Sequence, residues 1–427
     1  MKLSYYGLIL IVPVLLMIFS CNPSNHQTRI YYLDSSNGHD KANGLSPETA
    51  WKSIDKIASV DLNPGDSVLF ACGSVWSGIL LINDSGIQDT PIIYSSYGEG
   101  QKPQIKNPDE KMGSCISIMA QWIVLENFLV LNAQNAGIYI MDGANHNVIR
   151  QNEVRAVGLG ISVDGNNNTI SQNFVHDLEM VVNNPGGDND YGAVGIWLGS
   201  PNGTGSPSNN EVSFNKLVRC SALSLDYGKD GGAVEFYGNA RNNYVHHNHA
   251  EECNGFFEIG GQRDTISNNT IAHNLMINNG YAGSFHGGGK FGVTIQNLRI
   301  EHNVIYELGT QEILIGFWAG DFPPTSVRYS NNIFYLPHYT KVSNSSSFHH
   351  ENNIYFMGGK LSNGMPLGEG EMICDPYFVD RDNYDFHLKS ISPAIDAGKD
   401  LKYTLDYEMN PIPMNKKTDI GAFEHQN

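Results

Sequence analysis

The stretch Asn147-Val-Ile-Arg-Gln-Asn152-Glu-Val decides the fold, because it recurs along the chain. A second copy, Asn168-Thr-Ile-Ser-Gln-Asn173-Phe-Val, follows 21 residues later. Further copies place an Asn between two short apolar segments at Asn215, Asn248, Asn303 and Asn332. A period in the twenties, with strands of four or five residues and an Asn at each corner, predicts a parallel β-helix in which each coil covers the one before it.

Two other repeat-rich folds fit this pattern less well. A leucine-rich repeat has a similar period, but its Leu spacing is absent between residues 145 and 360. A β-sandwich would not keep the Asn in step from one repeat to the next. The longer spacing of 33 residues between Asn215 and Asn248 is therefore interpreted as one coil with an inserted loop.

The composition restricts the class of protein. The chain has 427 residues, of which 41% are hydrophobic and 16% are charged, and this balance excludes a disordered chain. The formal net charge of −18 argues against nucleic acid as a partner, because nucleic-acid binders need a basic face. We expect a monomer.

The first residues have the pattern of an export signal. Lys2 precedes an apolar run from Gly7 to Phe19, which is too short for a membrane span and suits a secretory signal. The sequence Ser20-Cys21 then resembles a bacterial lipobox, so residues 1–20 are predicted to be a lipoprotein signal peptide and Cys21 the lipidated residue. The expected location is the outer membrane, contacted through the lipid alone; ordinary secretion is the alternative.

The remaining cysteines do not indicate a metal site. They are widely spaced and include no CxxC pair, so we expect no zinc centre; they are Cys72, Cys115, Cys220, Cys253 and Cys374. Cys220 and Cys253 each lie five residues after a corner Asn, which predicts that they stack in the interior as free thiols.

Three parts of the chain carry a resemblance to a known family. The segment from Tyr31 to Trp51, the Asn-rich coils, and the end with Ser392-Pro-Ala-Ile-Asp-Ala-Gly and Asp419-Ile-Gly-Ala-Phe-Glu resemble the right-handed parallel β-helix superfamily of pectate-lyase-like proteins and glycoside hydrolases. This resemblance implies an all-β solenoid with a linker at 21–28, an N-terminal cap and first coils at 29–105, the β-helix at 106–360 and a C-terminal cap at 361–427. The motif Ser46-Pro-Glu predicts a short capping helix near 47–59.

One position in each coil is predicted to face outward. The tenth residue after a corner Asn is Ser162 in one coil and Glu258 in another, and the strand pattern places Trp197 and Glu235 at the equivalent point. Apolar neighbours on both sides of each must point inward, so these four side chains should stack along one outer face. His286 is expected at the next position.

Glu235 and Glu258 form the candidate catalytic pair. They lie 23 residues apart, which is one coil, so their carboxyls should lie roughly 5 Å apart, the separation used by retaining glycosidases. The alternatives are a surface acidic ladder or a calcium site. Resemblance to β-helix β-xylosidases implies that Glu235 is the nucleophile and Glu258 the acid/base; because that family places Asp at the nucleophile position, exchanged roles stay open.

Long loops lie beside this face and predict a substrate cleft. They are the insertion 176–208 and the segment 226–232, which leads into Glu235. The predicted substrate-binding residues are Trp197, Asp226, Lys229, Asp230, Tyr237 and His286.

Three functions compete on this sequence. The first is a glycoside hydrolase acting on a plant or host glycan without a cofactor. The second is a polysaccharide lyase that cleaves a uronate-containing polymer by β-elimination, for which Asp226, Asp230 and the two Glu could hold calcium. The third is a non-catalytic surface solenoid that binds carbohydrate.

Overall fold

Three parallel sheets wind along the molecule and form the sides of a right-handed parallel β-helix, which confirms the predicted fold class. The computed structural model describes residues 27–199, 205–286, 292–309, 315–317, 326–338, 348–357 and 366–426. The predicted signal peptide and Cys21 lie outside these ranges and stay predictions. In the described part of the chain, no helix has the length and apolar character needed to cross a membrane.

Each sheet is built from short strands of successive coils. The strands of sheet A are Ile30–Leu33, Ser67–Ala71, Ile92–Tyr97, Ile123–Glu126, Val148–Arg150, Thr169–Ser171, Glu211–Ser213, Tyr244–His246, Thr270–Ala272, Leu298–Glu301, Val327–Ser330 and Phe348–Glu351. Sheet B contains Val75–Ser77, Gln104–Asn107, Phe174–His176, Lys216–Val218, His249–Glu251, Leu275–Ile277, Val304–Tyr306, Ile333–Tyr335, Ile354–Phe356 and Met372–Ile373. Sheet C contains Leu80–Ile82, Ile116–Ile118, Val194–Leu198, Gly232–Phe236, Phe257–Ile259, Gly283–Phe285 and Ile315–Phe317. The long strands Leu129–Ile140 and Glu153–Val163 pass through the corner and belong to both sheets B and C.

The remaining elements are short. Two-stranded pairs join Met180–Val182 to Tyr191–Gly192, Thr265–Ser267 to Thr294–Gln296, and Phe378–Asp380 to Asp385–Leu388. The 3-10 turns are Pro47–Thr49, Ile54–Ser59 and Arg381–Asn383.

The helix predicted near 47–59 is replaced by two separate 3-10 turns. The Asp40 carboxylate accepts the backbone N–H groups of Lys52 and Ser53 at 2.8 and 2.9 Å, and this takes those donors away from a continuous helix. In the second turn Ile54 and Ile57 are buried, which suits a 3-10 geometry because residues three apart lie on the same side.

The corner asparagines form the ladder that the sequence predicts. The backbone N–H of Asn152 donates to the Asn173 side-chain oxygen at 3.1 Å, and that of Asn173 donates to Asn215 at 3.0 Å. The ladder continues through Asn248, Asn274, Asn303, Asn332 and Asn353. Each buried amide thus satisfies backbone groups at a corner, where the sheets provide no partner.

A second ladder at the corner between sheets C and A keeps the same spacing. It runs through Asn147, Asn168, Asn210, Asn243 and Asn269. Two ladders in step with the coils fix the register of all three sheets. Cys220 and Cys253 are buried free thiols, as predicted.

The C-terminal segment lies against the side of the β-helix. After the last strand of sheet B, Met372–Ile373, apolar residues such as Phe378, Phe386 and Ala422 pack with the outward side chains Val304 and Ile333 of sheet B. The segment therefore covers one outer face, while the outer face of sheet C carries the candidate site.

Three stacked histidines hold this C-terminal segment. The rings of His273 and His302 lie 5.0 Å apart, and His247 stacks on the other side of His273 at 5.4 Å. A His247 ring nitrogen bonds the carbonyl of Asp406 at 2.8 Å, and one of His302 bonds that of Gly421 at 3.2 Å. Burial lowers the pKa of His247 and of His302 to about 4. Burial also lowers the pKa of His273 far below its ordinary value.

These histidines predict a stability loss in acid. A buried neutral His binds a proton less tightly than the same His in the unfolded chain. The contribution of these histidines to stability is therefore fully present above pH 6.5 and falls as the pH drops toward 4. A shift of this size corresponds to about 3 kcal/mol per group when protonation is complete. Denaturant unfolding across this pH window measures the slope. The variant His273→Asn tests this expectation, because Asn already occupies the equivalent corner position at Asn331. It should reduce the dependence of stability on pH, and an unchanged dependence would contradict the expectation.

Candidate active site

The outward positions of sheet C stack as predicted over four coils. Ser162 is paired with Trp197, Trp197 with Glu235, and Glu235 with Glu258. The expectation that His286 comes next is wrong, since Ser284 is the residue paired with Glu258. His286 follows two positions later and points to the same side, because side chains alternate along an extended chain. Its Nε2 lies 3.5 Å from Oε1 of Glu258, so His286 still lies beside the glutamate pair although it is not in the stacked position.

The two glutamates face outward from a closed interior. The flanking side chains Val234, Phe236 and Ile259 are fully buried inside the coil. Glu235 is nevertheless only 6% exposed, whereas the Glu258 side chain is 25% exposed. Adjacent strands lie about 4.8 Å apart, so direct pairing of the two residues places them side by side.

The two carboxyls have opposite surroundings. Burial acts to raise the pKa of Glu258, but the hydrogen bond and charge of His286 and a 2.6 Å hydrogen bond donated by the Tyr237 hydroxyl outweigh it and lower that pKa. Burial, followed by the charges of Glu258 and Asp230, raises the pKa of Glu235 well above its ordinary value. At neutral pH the arrangement therefore favours a protonated Glu235 beside an ionised Glu258.

Asp230 and His286 complete the charged cluster. Asp230 accepts the N–H of Gly231 at 2.8 Å, but burial and the charge of Glu258 raise its pKa to about 7. Burial opposes charge on His286, yet Glu258 and Asp230 outweigh it and raise its pKa. The structure thus brings together three acidic groups and one imidazole.

Asp226 has a structural role in the loops. Its carboxylate accepts the backbone N–H groups of Gly186, Gly187 and Asn189 at 2.6, 3.2 and 3.1 Å. The neighbouring loop residue Asp190 accepts the Ser224 hydroxyl in return, at 2.8 Å. Asp226 therefore joins two loops through both of its carboxylate oxygens. Among the residues that the structure describes, no cluster of three or more His, Cys, Asp or Glu could hold a metal ion.

Trp197 and Lys229 are predicted from the sequence to contact the substrate beside the glutamate pair, and the structure places both differently. Trp197 is 5% exposed, and its ring packs against the Tyr237 ring in an edge-to-face contact with the centroids 5.2 Å apart. It therefore supports Tyr237 and does not offer an exposed ring face to a sugar. Lys229 lines an open groove of about 890 Å³ together with Arg219 and Glu307. Among the described residues that line this groove, neither glutamate of the pair is present.

Gly260 is a site residue that the sequence analysis missed. A Cβ added there would lie 2.3 Å from the Tyr237 ring, so only glycine leaves room for that side chain. The contact joins two coils, and the sole signal in the sequence is a glycine directly after the strand Phe257–Ile259.

Comparison with known proteins supports the fold. No protein-family model matches the chain. A lacto-N-biosidase from Bifidobacterium longum subsp. longum is 41% identical over 76 residues, which is 17% of this chain and 5% of the length of that protein. A structure of XylC in complex with xylose has a TM-score of 0.57 at 12% identity, covering 92% of this chain and 98% of that one. A rhamnogalacturonan lyase has a TM-score of 0.50 at 13% identity, covering 85% and 95%. Likeness at this identity establishes architecture, and the chain therefore has the parallel β-helix fold on which these carbohydrate-active enzymes are built.

Proposed function

We propose that this chain is a glycoside hydrolase that cleaves a plant or host glycan with retention of configuration. The observation that carries the proposal is the direct pairing of Glu235 with Glu258 on adjacent strands, in surroundings that leave one protonated and the other ionised. Retaining glycosidases need this combination of an acid and a nucleophile about 5–5.5 Å apart. The local match to a lacto-N-biosidase supports hydrolysis of a glycan.

The surroundings favour Glu258 as the nucleophile and Glu235 as the acid, the reverse of the roles that the family resemblance implies. In the first step a Glu258 oxygen bonds to the anomeric carbon while the glycosidic bond breaks, and Glu235 gives its proton to the leaving oxygen. In the second step the Glu235 carboxylate takes a proton from water. The water oxygen bonds to the anomeric carbon, and Glu258 leaves as a carboxylate.

A panel of glycans and aryl glycosides, incubated with the purified protein, tests the proposal. We expect saturated reducing sugars whose initial anomeric configuration, followed by NMR, equals that of the substrate. Ultraviolet-absorbing unsaturated products would show the lyase instead. Retention of a glycan without turnover would show the binding solenoid, and initial inversion would overturn the nucleophile role.

We also propose export as a lipoprotein attached to the outer membrane, as the sequence from Gly7 to Cys21 predicts. The partner would be the carbohydrate substrate, with membrane contact through the lipid alone.

A further inference from the structure

Tyr237 crosses from one coil to the next. It directly follows the strand Gly232–Phe236, and its backbone N–H donates to the carbonyl of Leu198 at 2.8 Å. Its hydroxyl donates to Oε1 of Glu258, one coil further on, at 2.6 Å. The ring thus spans the gap between the two coils that carry the glutamate pair.

Glycines on two sides make this position of the ring possible. A Cβ on Gly260 would lie 2.3 Å from Cζ and 2.5 Å from the hydroxyl of Tyr237. The backbone of Gly260 is outside the left-handed region, so space for the ring, and not conformation, is what requires glycine there. On the other side, a Cβ on Gly199 would lie 2.7 Å from the Tyr237 Cβ. The Trp197 ring also packs against Tyr237 in an edge-to-face contact, with the ring centroids 5.2 Å apart.

We propose that Tyr237 is a positioning residue for Glu258, and that Gly260, which has no side chain, leaves the space that the Tyr237 ring needs to reach it. The inference rests on the proposed hydrolase function of this pair. A hydrogen bond to an ionised carboxylate stabilises the charged form and fixes its orientation. Together with His286, Tyr237 therefore favours Glu258 as the ionised member of the pair, and it aims the free oxygen of Glu258 at the substrate instead of binding the sugar itself.

Three other titratable groups surround Glu258 besides the tyrosine. The charge of Glu258 raises the pKa of Glu235 in the preceding coil and of Asp230 in the 226–232 loop, while His286 from the following coil lowers the pKa of Glu258. Without the Tyr237 hydroxyl, His286 alone counters the effect of burial, which raises the pKa of Glu258. The proton is then shared more evenly between the two glutamates, and less of the enzyme has the productive distribution.

The variant Tyr237→Phe tests the role of the hydroxyl. We expect kcat to fall about 10- to 100-fold with little change in KM, because a hydrogen bond to a charged group is lost. We also expect the acidic limb of the pH profile of kcat/KM to move to higher pH. Tyr139→Phe is the matched control: it removes a 2.7 Å hydrogen bond to Asp164 on the same outer face, and it should keep the wild-type profile.

A measurement that needs no substrate separates this inference from the proposed function. NMR titration of 13C-labelled Glu carboxyls in the folded protein reports the pKa of Glu258 whether or not a substrate is known, and it should rise in Tyr237→Phe. A rise without any glycosidase activity would support the positioning role and reject the hydrolase. An unchanged pKa, or a variant in which only KM rises, would overturn the positioning role.

A double-variant cycle tests Gly260. If Gly260 acts through Tyr237, then Gly260→Ala should lower kcat in the wild type and have little further effect in a Tyr237→Ala background. Thermal unfolding of all the variants checks that the fold is kept. Effects that add in full would show that Gly260 acts independently of the tyrosine.

Discussion

Replacing Glu258 by Gln is expected to reduce kcat by more than about 10⁴-fold, because removal of a nucleophile eliminates the covalent route. The amide has nearly the same shape, and the side chain is partly exposed outside the coil, so the fold should be kept. A panel of aryl glycosides with the same sugar and different leaving groups should show the loss throughout, since every leaving group needs the nucleophile.

Two further results distinguish a nucleophile from a residue that only binds. Azide or formate should restore turnover of activated aryl glycosides by Glu258→Ala, which vacates the space of the carboxylate, with a glycosyl azide of inverted configuration as the product when azide is used. Glu252→Gln is the control, since Glu252 lies in the same coil at an exposed corner and lines the open groove beside Lys229. Near-normal rates in Glu258→Gln would reject the proposed mechanism.

The features predicted correctly from sequence are those that repeat with the coil. The Asn at each corner satisfies backbone groups in every coil, so its spacing reports the fold directly. The same spacing places Glu235 beside Glu258, since each lies in a strand of the same sheet with apolar neighbours. The alternation of inward and outward side chains and the length of the coil are therefore sufficient to predict the architecture and the pairing of the two glutamates.

The features that the sequence did not reveal depend on contacts between coils and loops. Trp197 follows the outward pattern, yet Val181 and Tyr191 of the 176–208 insertion pack against it, and it is 5% exposed. Ser284 takes the place expected for His286, because the connection between those coils has a different length. The ionisation of the two glutamates depends on Tyr237 and His286, which come from two different coils. No spacing rule along the chain contains this information.

The variant Glu235→Gln should lose activity to a different extent on substrates with different leaving groups. A general acid contributes about 10²- to 10⁴-fold, so kcat/KM should fall by this range for glycosides with poor leaving groups. Activated aryl glycosides need no proton, and their first step should remain fast. The basic limb of the pH profile, which reports loss of the acid's proton, should disappear in the variant.

Stability provides an independent readout of the same group. Burial, Glu258 and Asp230 raise the pKa of Glu235, so the folded protein binds this proton more tightly than the unfolded chain does. The contribution of Glu235 to the stability of the wild type is therefore lost as the pH rises above about 4.5, the ordinary pKa of a Glu, and Gln has no such cost. We expect Glu235→Gln to unfold at a higher temperature than the wild type above neutral pH, with the difference shrinking as the pH falls to 4.5. If Glu235→Gln is instead less stable above neutral pH, and Glu258→Gln is the variant that spares activated substrates, then Glu235 is the ionised nucleophile and the roles are those that the β-xylosidase resemblance implies.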